Sequence, residues 1–395
     1  MGIKGPNIAS RLIKRITSKS FLFLSGLLLV IGNEYVLHFA HYLQWAPIPV
    51  ETRHDGDMVL LLVSDPQIQG YQREPAFPVG YFSRWDADRY ISRSFSMAFL
   101  HSSPDIILFL GDLMDEGSIA TNEEYELYYQ RLQNIFQDAA ETKKIYVPGD
   151  NDIGGEGFDR RTSEKISRFE RYFEYLTGAV KFRFASFFKL DVRFFEPFLP
   201  KHKKILQEVG EEIYMPFRII LNHESISPKL KSHVYPYSYV LQLLKPIRPH
   251  MVISGHWHKA NLFLCEDCLS QENDDGDYWP VTRRDLTSEE NYIEINSDEK
   301  STLVEIMVPT CSYRMGEPKM GYGVLVIMKT SKCMENIQSG EKATAELMQR
   351  TSSSSPPSSS SFKTIFHSDI DLMVQLDLVS QKAASSTVST AGCPS

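Results

Sequence analysis

The chain is poor in cysteine. Five cysteines in 395 residues, Cys265, Cys268, Cys311, Cys333 and Cys393, are too few and too scattered for a disulfide-built fold. Cys265-x-x-Cys268 has no second pair to complete a zinc site, so a local disulfide or plain thiols remain the readings. Positive charge is also in deficit. A net charge of −8 argues against a nucleic-acid partner. The sequence has no Asn-x-Ser/Thr acceptor for glycosylation.

Long apolar runs are confined to one place. Residues 1–19 are basic, and Phe21 to Leu43 is strongly apolar, interrupted by Asn33, Glu34, His38 and His41. A bilayer span needs roughly 20 such residues. No small-x-small cleavage pattern follows, which favours an uncleaved signal anchor over 20–43. The basic flank then stays cytoplasmic, and everything beyond the 44–57 linker is lumenal.

The rest of the chain, 42% hydrophobic overall, is organised around short apolar runs that end in polar residues. Met58 to Ser64 ends in Asp65-Pro66-Gln67. Ile106 to Leu110 ends in Gly111-Asp112-Leu-Met-Asp115. Lys144 to Val147 ends in Pro148-Gly149-Asp150-Asn151-Asp152. Phe217 to Leu221 ends in Asn222-His223, and Met251 to Ser254 in Gly255-His256-Trp257-His258. Continuous apolar runs read as strands buried on both faces. Helices are expected between them, over 86–100, from the capping box Thr121-Asn-Glu-Glu124 towards Asp138, over 163–176 and over 239–244. Alternating strands and helices argue a parallel α/β sheet with functional residues at the carboxyl ends.

Each of these polar residues alone has an ordinary reading as a turn former or helix cap. Their recurrence on successive strand ends does not. A carboxylate at the end of a buried strand costs solvation unless something pairs with it. Mixed oxygen and imidazole donors suit manganese, iron or zinc rather than calcium.

Leu303 to Val308 and Tyr322 to Met328 read as closing strands. The acidic stretch 266–299 reads as a surface insertion. Residues 331–395, with the Ser/Pro run 352–361, read as a disordered tail.

With these motifs in place the chain resembles the calcineurin-like metallophosphoesterases, over roughly residues 58–330. The resemblance implies a four-layer α/β sandwich of two mixed β-sheets flanked by helices. It implies two divalent ions, manganese with iron or zinc as alternatives. Their ligands would be Asp65, Gln67, Asp112, Asp150, His223, His256 and His258, with Asp112 bridging. Asn151 stands where the family has a histidine facing the leaving group, Gln67 where it has a metal-binding histidine, and Asp150 where it has an asparagine. Asp115 and Asp152 would orient ligands. The stretches Phe109–Gly117, Gly149–Gly154 and Val308–Arg314 are similar to the GPI-anchor-remodelling branch of the family. That likeness implies an endoplasmic reticulum or Golgi membrane enzyme. It would remove an ethanolamine-phosphate branch from a GPI glycan on the lumenal side. Two alternatives stay open: a weakly active or non-catalytic binder of glycan phosphate, and a protein phosphatase of the calcineurin type.

Overall fold

The computed structural model describes residues 18–43, 45, 57–192, 217–230, 244–266, 268–269, 281–286, 292–296, 302–329 and 370–375. The chain divides into two units, Met1–Ala46 and Pro47–Ser395.

In the first unit the apolar run is helical in three consecutive pieces: Ser18–Ile31, a π-helical turn Gly32–Val36, and Leu37–Tyr42. Among the described residues no helix is long and apolar enough to cross a membrane. The single helix expected over 20–43 is divided at Gly32 and Asn33, both weak helix formers. Phe21, Leu22, Phe23, Leu28 and Leu29 are all largely exposed.

The second unit is built on two mixed sheets. The first sheet contains β1 (Met58–Val63), β2 (Ile106–Phe109) and β3 (Lys143–Tyr146), which run parallel as expected. The second contains β4 (Gly178–Phe182), β5 (Ala185–Lys189), β6 (Phe217–Leu221), β7 (Met251–Ser254), β8 (Asn261–Cys265) and β9 (Val281–Asp285). Strand β10 (Tyr292–Asn296) lies at the edge of the first sheet and β11 (Leu303–Met307) inside the second. Strand β12 (Gly323–Lys329) pairs antiparallel with β1. The spatial orders are β10-β13-β12-β1-β2-β3 and β4-β5-β6-β7-β11-β8-β9, with β13 at Ile370–Gln375.

Side-chain alternation stacks the two sheets face to face. Met58, Leu60 and Leu62 of β1, with Ile106 and Leu108 of β2, pack against Phe187, Ile219, Leu221, Ile253 and Ile306 in one buried cluster. The opposite face of the first sheet is covered by helices Val79–Ser102 and Asn122–Ile135. There Phe95 and Phe109 each meet Phe136 edge-on. The second helix opens with the expected capping box, in which Thr121 and Glu124 bond each other's backbone N–H. The outer face of the second sheet buries Phe188, Ile220 and Val252 with Leu244 and Ile247. The helix expected over 239–244 lies outside the described residues except for Leu244.

Two expectations need correction. Within 266–299, Val281–Asp285 and Tyr292–Asn296 are edge strands, one in each sheet. Residues 270–280 lie outside the described residues. Within 331–395, Ile370–Gln375 is a strand inserted between β10 and β12. Its partners are remote in sequence, so no local pattern announces it. The Ser/Pro run lies outside the described residues. Cys265 and Cys268 are paired as a disulfide, while Cys311 is a buried thiol.

The inserted strand supports a measurable outcome. A chain ending at Lys329 loses β13 and both of its ladders, and should melt below the full-length protein in a calorimetric scan. Equal melting temperatures would show that the strand contributes nothing to the sheet.

Candidate dinuclear metal site

Five parallel strand ends converge on one edge of the sandwich. Strands β1, β2 and β3 deliver Asp65, Asp112 and Asp150; β6 and β7 deliver His223 and His256. Asp65, Asp112, Asp150 and His223 are buried, and His256 and His258 are partly exposed.

These residues form two groups that share Asp112. One is Asp112, Asp150, His223 and His256; the other is Asp65, Asp112 and His258. Within each, the donor atoms lie within 4.8 Å of one another. Asp112 divides its oxygens between them. Its Oδ1 lies 3.4 Å from His223 Nε2, and its Oδ2 lies 3.0 Å from the Gln67 amide. That amide is in turn 3.1 Å from His258 Nε2. Asp150 Oδ1 is 3.2 Å from both His223 Nε2 and His256 Nδ1. His258 Nε2 is 3.6 Å from Asp65 Oδ1.

The groups fit a pair of divalent cations. Asp65 Oδ1 is fully buried and accepts no hydrogen bond. An oxygen in that state costs solvation energy that a cation would offset. His223 Nδ1 is bound to the Leu110 carbonyl at 2.7 Å, which leaves Nε2 aimed into the cluster. A fixed tautomer of this kind is how a metal-binding imidazole is oriented.

The backbone is bent to make this arrangement. Asp65, Gln67, Asp112, His256 and His258 all have φ between +40° and +72°. Such conformations cost on the order of 1–3 kcal/mol each and persist only where surrounding contacts impose them. Close approach demands glycine at two places. A Cβ on Gly149 would meet Asp112 Oδ1 at 2.0 Å, and one on Gly255 would meet Ser64 Oγ at 2.0 Å.

Asp152 and Asp115 act at one remove from the donors. The Asp152 carboxylate accepts backbone N–H bonds from Leu113, Met114 and Gly149, which clamps the β2 and β3 loops together. Asp115 is not among the donors. Its carboxylate faces Arg314 at 3.3 Å, and Arg314 also donates to the Gln67 carbonyl at 2.9 Å. Neither carboxylate lies in the two donor groups; Asp152 contacts the loop backbone that carries donors, and Asp115 contacts the Arg314 side chain that holds Gln67. Gln67 turns its Nε2 towards Asp112 and His258. Its Oε1 would take that place only after a flip of the amide. Asn151 donates from its backbone N–H to Asp112 Oδ1 at 3.0 Å and from Nδ2 to Oδ2 at 2.9 Å.

Two residues outside the expected set hold the strand ends in register. Glu305, buried in the middle of β11, accepts from Ile226 N–H, Ser227 N–H and Ser254 Oγ. It therefore ties the His223 loop to the β7 end that carries His256. Its signal in the sequence is an acid inside the apolar run Leu303-Val-Glu-Ile-Met307. Thr310 bonds the Asp65 carbonyl through Oγ1 and the His258 carbonyl through its N–H.

Electrostatics follow from burial and crowding. Burial, opposed in part by His223 and reinforced by Asp150 and Asp65, pushes the Asp112 carboxyl well above its ordinary value. Burial would also raise Asp150, but hydrogen bonds from His223 and His256 outweigh it and hold that carboxyl far below the usual range. Burial would lower His223, but Asp112, Asp150 and Asp65 outweigh it and push it up to about 10.

The pattern of the calcineurin-like phosphoesterase family matches residues 58–260. The chain is 26% identical over 149 residues to metallophosphoesterase 1 of Danio rerio, covering 37% of each. It is 29% identical over 133 residues to the metallophosphoesterase 1 homolog of Caenorhabditis elegans, covering 33% of this chain and 34% of that one. The chain thus spans about a third of the length of these relatives. Purple acid phosphatase from yellow lupin (Lupinus luteus) seeds is similar at a TM-score of 0.43 and 11% identity. That likeness covers 69% of this chain and 50% of the other.

The charge state predicts a linked proton. His223 binds a cation only when neutral, so binding at pH 7 must expel the proton it holds. Manganese titrations in buffers of different ionisation enthalpy should show at least one proton released per chain. Affinity should rise with pH towards about 10. A binding heat independent of the buffer would contradict the protonation of His223.

Proposed function

The chain belongs to the calcineurin-like phosphoesterase family of metal-dependent phosphoester hydrolases, and on that premise we propose that it is a membrane-anchored phosphodiesterase. The proposed reaction removes an ethanolamine-phosphate branch from GPI glycans on the lumenal face of the early secretory pathway. The observation that carries the hydrolytic part is the division of Asp112 between two donor groups. One carboxylate offering an oxygen to each side is how a pair of ions is held a few ångströms apart.

Asp65, Asp112 and His258, with Gln67 beside them, would hold one ion. Asp112, Asp150, His223 and His256 would hold the other. Manganese fits this donor set, as iron and zinc also do. When bound, such a pair supplies Lewis-acid polarisation of the phosphoryl oxygens and activation of water. The protein's own part is orientation. Leu110 fixes the His223 tautomer, Asp152 fixes the β2 and β3 loops, and Arg314 fixes the backbone of Gln67.

Asn151 sits over the bridging carboxylate as a donor. It hydrogen-bonds but cannot give up a proton near neutral pH. Protonation of the leaving oxygen by residue 151 is then lost, and a slower reaction would follow. The same feature supports the second reading, a relative that binds glycan phosphate without turning it over.

Support for the substrate comes from the likeness of residues 109–117, 149–154 and 308–314 to the GPI-remodelling branch, and from the metallophosphoesterase 1 relatives. Support for the anchor comes from the basic flank and the exposed apolar side chains of Ser18–Ile31. That segment is divided into three helical pieces, none of them long and apolar enough by itself to cross a membrane.

Hydrolysis of an ethanolamine-phosphate-bearing GPI glycan with added manganese tests the reading. Asp112→Asn should abolish turnover, because the bridging ligand loses its charge. Asn151→His should raise kcat, by up to the acid–base factor of about 10²–10⁴, if leaving-group protonation limits the rate. A wild-type protein that binds two ions and the glycan, yet releases nothing above the Asp112→Asn background, would leave only the binding reading. For topology, protease added to sealed microsomes should spare residues 58–330; their digestion would place them on the cytoplasmic side.

A further inference from the structure

Asn151 is held in place by contacts that its own helix does not supply. Helix Asp150–Ile153 has four residues, too few to be stable alone. In a longer helix the Asn151 carbonyl would accept from the N–H of residue 155. Here the Gly155 N–H turns instead to the Asp159 carbonyl, at 2.7 Å. The Asn151 carbonyl takes its hydrogen bond from the loop after β2, where the Ser118 N–H donates at 2.7 Å. The two backbones are in close contact. A Cβ on Gly117 would meet the Asn151 carbonyl oxygen at 3.1 Å and Asp152 Cα at 3.2 Å.

That loop is gripped from a third element. Arg168, in the middle of helix Ser163–Phe173, is only 8% exposed. Its Nη1 donates to the Ala120 carbonyl at 2.6 Å. Its Nη2 donates to the carbonyls of Gly117 at 2.8 Å and Ser118 at 3.3 Å. Its Cζ lies over the Tyr125 ring at 4.7 Å. A buried guanidinium gives up hydration, and its fork of charged donors recovers the loss only where acceptors match its geometry. These three acceptors are carbonyls of one loop, so the fork fixes backbone and does not neutralise a carboxylate. Phe169 and Phe173 of the same helix are buried as well, which anchors the helix that carries the arginine.

The contacts lead from Arg168 to the metal site. Arg168 holds the carbonyls of residues 117–120, Ser118 holds the Asn151 carbonyl, and Asn151 meets Asp112 twice. Its backbone N–H reaches Oδ1 at 3.0 Å and its Nδ2 reaches Oδ2 at 2.9 Å. A shift of the backbone at Ser118 therefore moves both bonds to the bridging carboxylate together.

We infer that Arg168 is a positioning residue of the metal site: by fixing the 117–120 loop it sets, through Ser118, how Asn151 meets the Asp112 carboxylate. The inference rests on the two-ion part of the proposed function. It requires neither hydrolysis, nor the GPI substrate, nor the amino-terminal anchor.

Manganese affinity of the full chain, measured by calorimetry, reads this without any turnover. Groups that orient a metal ligand from behind typically matter about 10–100-fold in affinity. Arg168→Met and Asn151→Ala should each weaken manganese binding about tenfold. The double variant should fall well short of the roughly hundredfold product that independent sites would give. A role confined to packing makes the opposite forecast: Arg168→Met melts lower, yet the folded protein binds manganese as the wild type does. That result overturns the inference, and so does a double variant that shows the full product. If Arg168→Met does not fold, Gly117→Ala, whose new Cβ presses on the Asn151 carbonyl, goes through the same cycle. A wild-type chain that binds no manganese defeats the two-ion reading and this inference with it. Wild-type binding that none of the variants weakens defeats this inference alone.

Discussion

Three buried carboxylates, Asp65, Asp112 and Asp150, sit at the ends of adjacent strands with imidazoles between them. Their mutual repulsion and lost hydration are the constraint on which the rest of the site depends. Asp112 feels it strongly, since burial and the neighbouring carboxylates Asp150, Asp65 and Asp152 oppose its ionisation, with His223 favouring it. Against the effect of its burial, Asp112, Asp150 and Asp65 push His223 up. A divalent cation in each group would offset the repulsion, and Asp65 Oδ1, which accepts no hydrogen bond, marks one place where a cation would fit.

The fold holds that unfavourable cluster together by tying loops to each other. Asp152 binds three backbone N–H groups across two loops, Glu305 binds two more and a hydroxyl, and Thr310 joins the Asp65 and His258 turns. Five site residues are held at positive φ by this network. The apolar sandwich beneath supplies the stability that these strained turns consume.

Much of the arrangement is legible in the residues themselves. The runs Met58–Ser64, Ile106–Leu110 and Met251–Ser254 are apolar throughout because strands buried on both faces leave no side for polar residues. Their polar endings stood out for the same reason. Less legible were the contacts made across long sequence distances. Nothing local shows that Asp115 would face Arg314 and not a metal, or that Ile370–Gln375 would find partners in β10 and β12. The acidic stretch 266–299 was misleading, because edge strands tolerate charge on their exposed side.

What the sequence by itself determined is the set of donors and the elements that carry them. Residue type decides what can ligate a cation, and hydrophobic periodicity decides where a strand ends. What only the tertiary structure decided is the partition: which donors group together, that Asp112 belongs to both groups, and that Gln67 presents its nitrogen and Asn151 its donor to that shared carboxylate. The reason is physical. Donor geometry depends on the stacking of two sheets and on left-handed turns imposed by remote hydrogen bonds, and neither is encoded in any one stretch of chain.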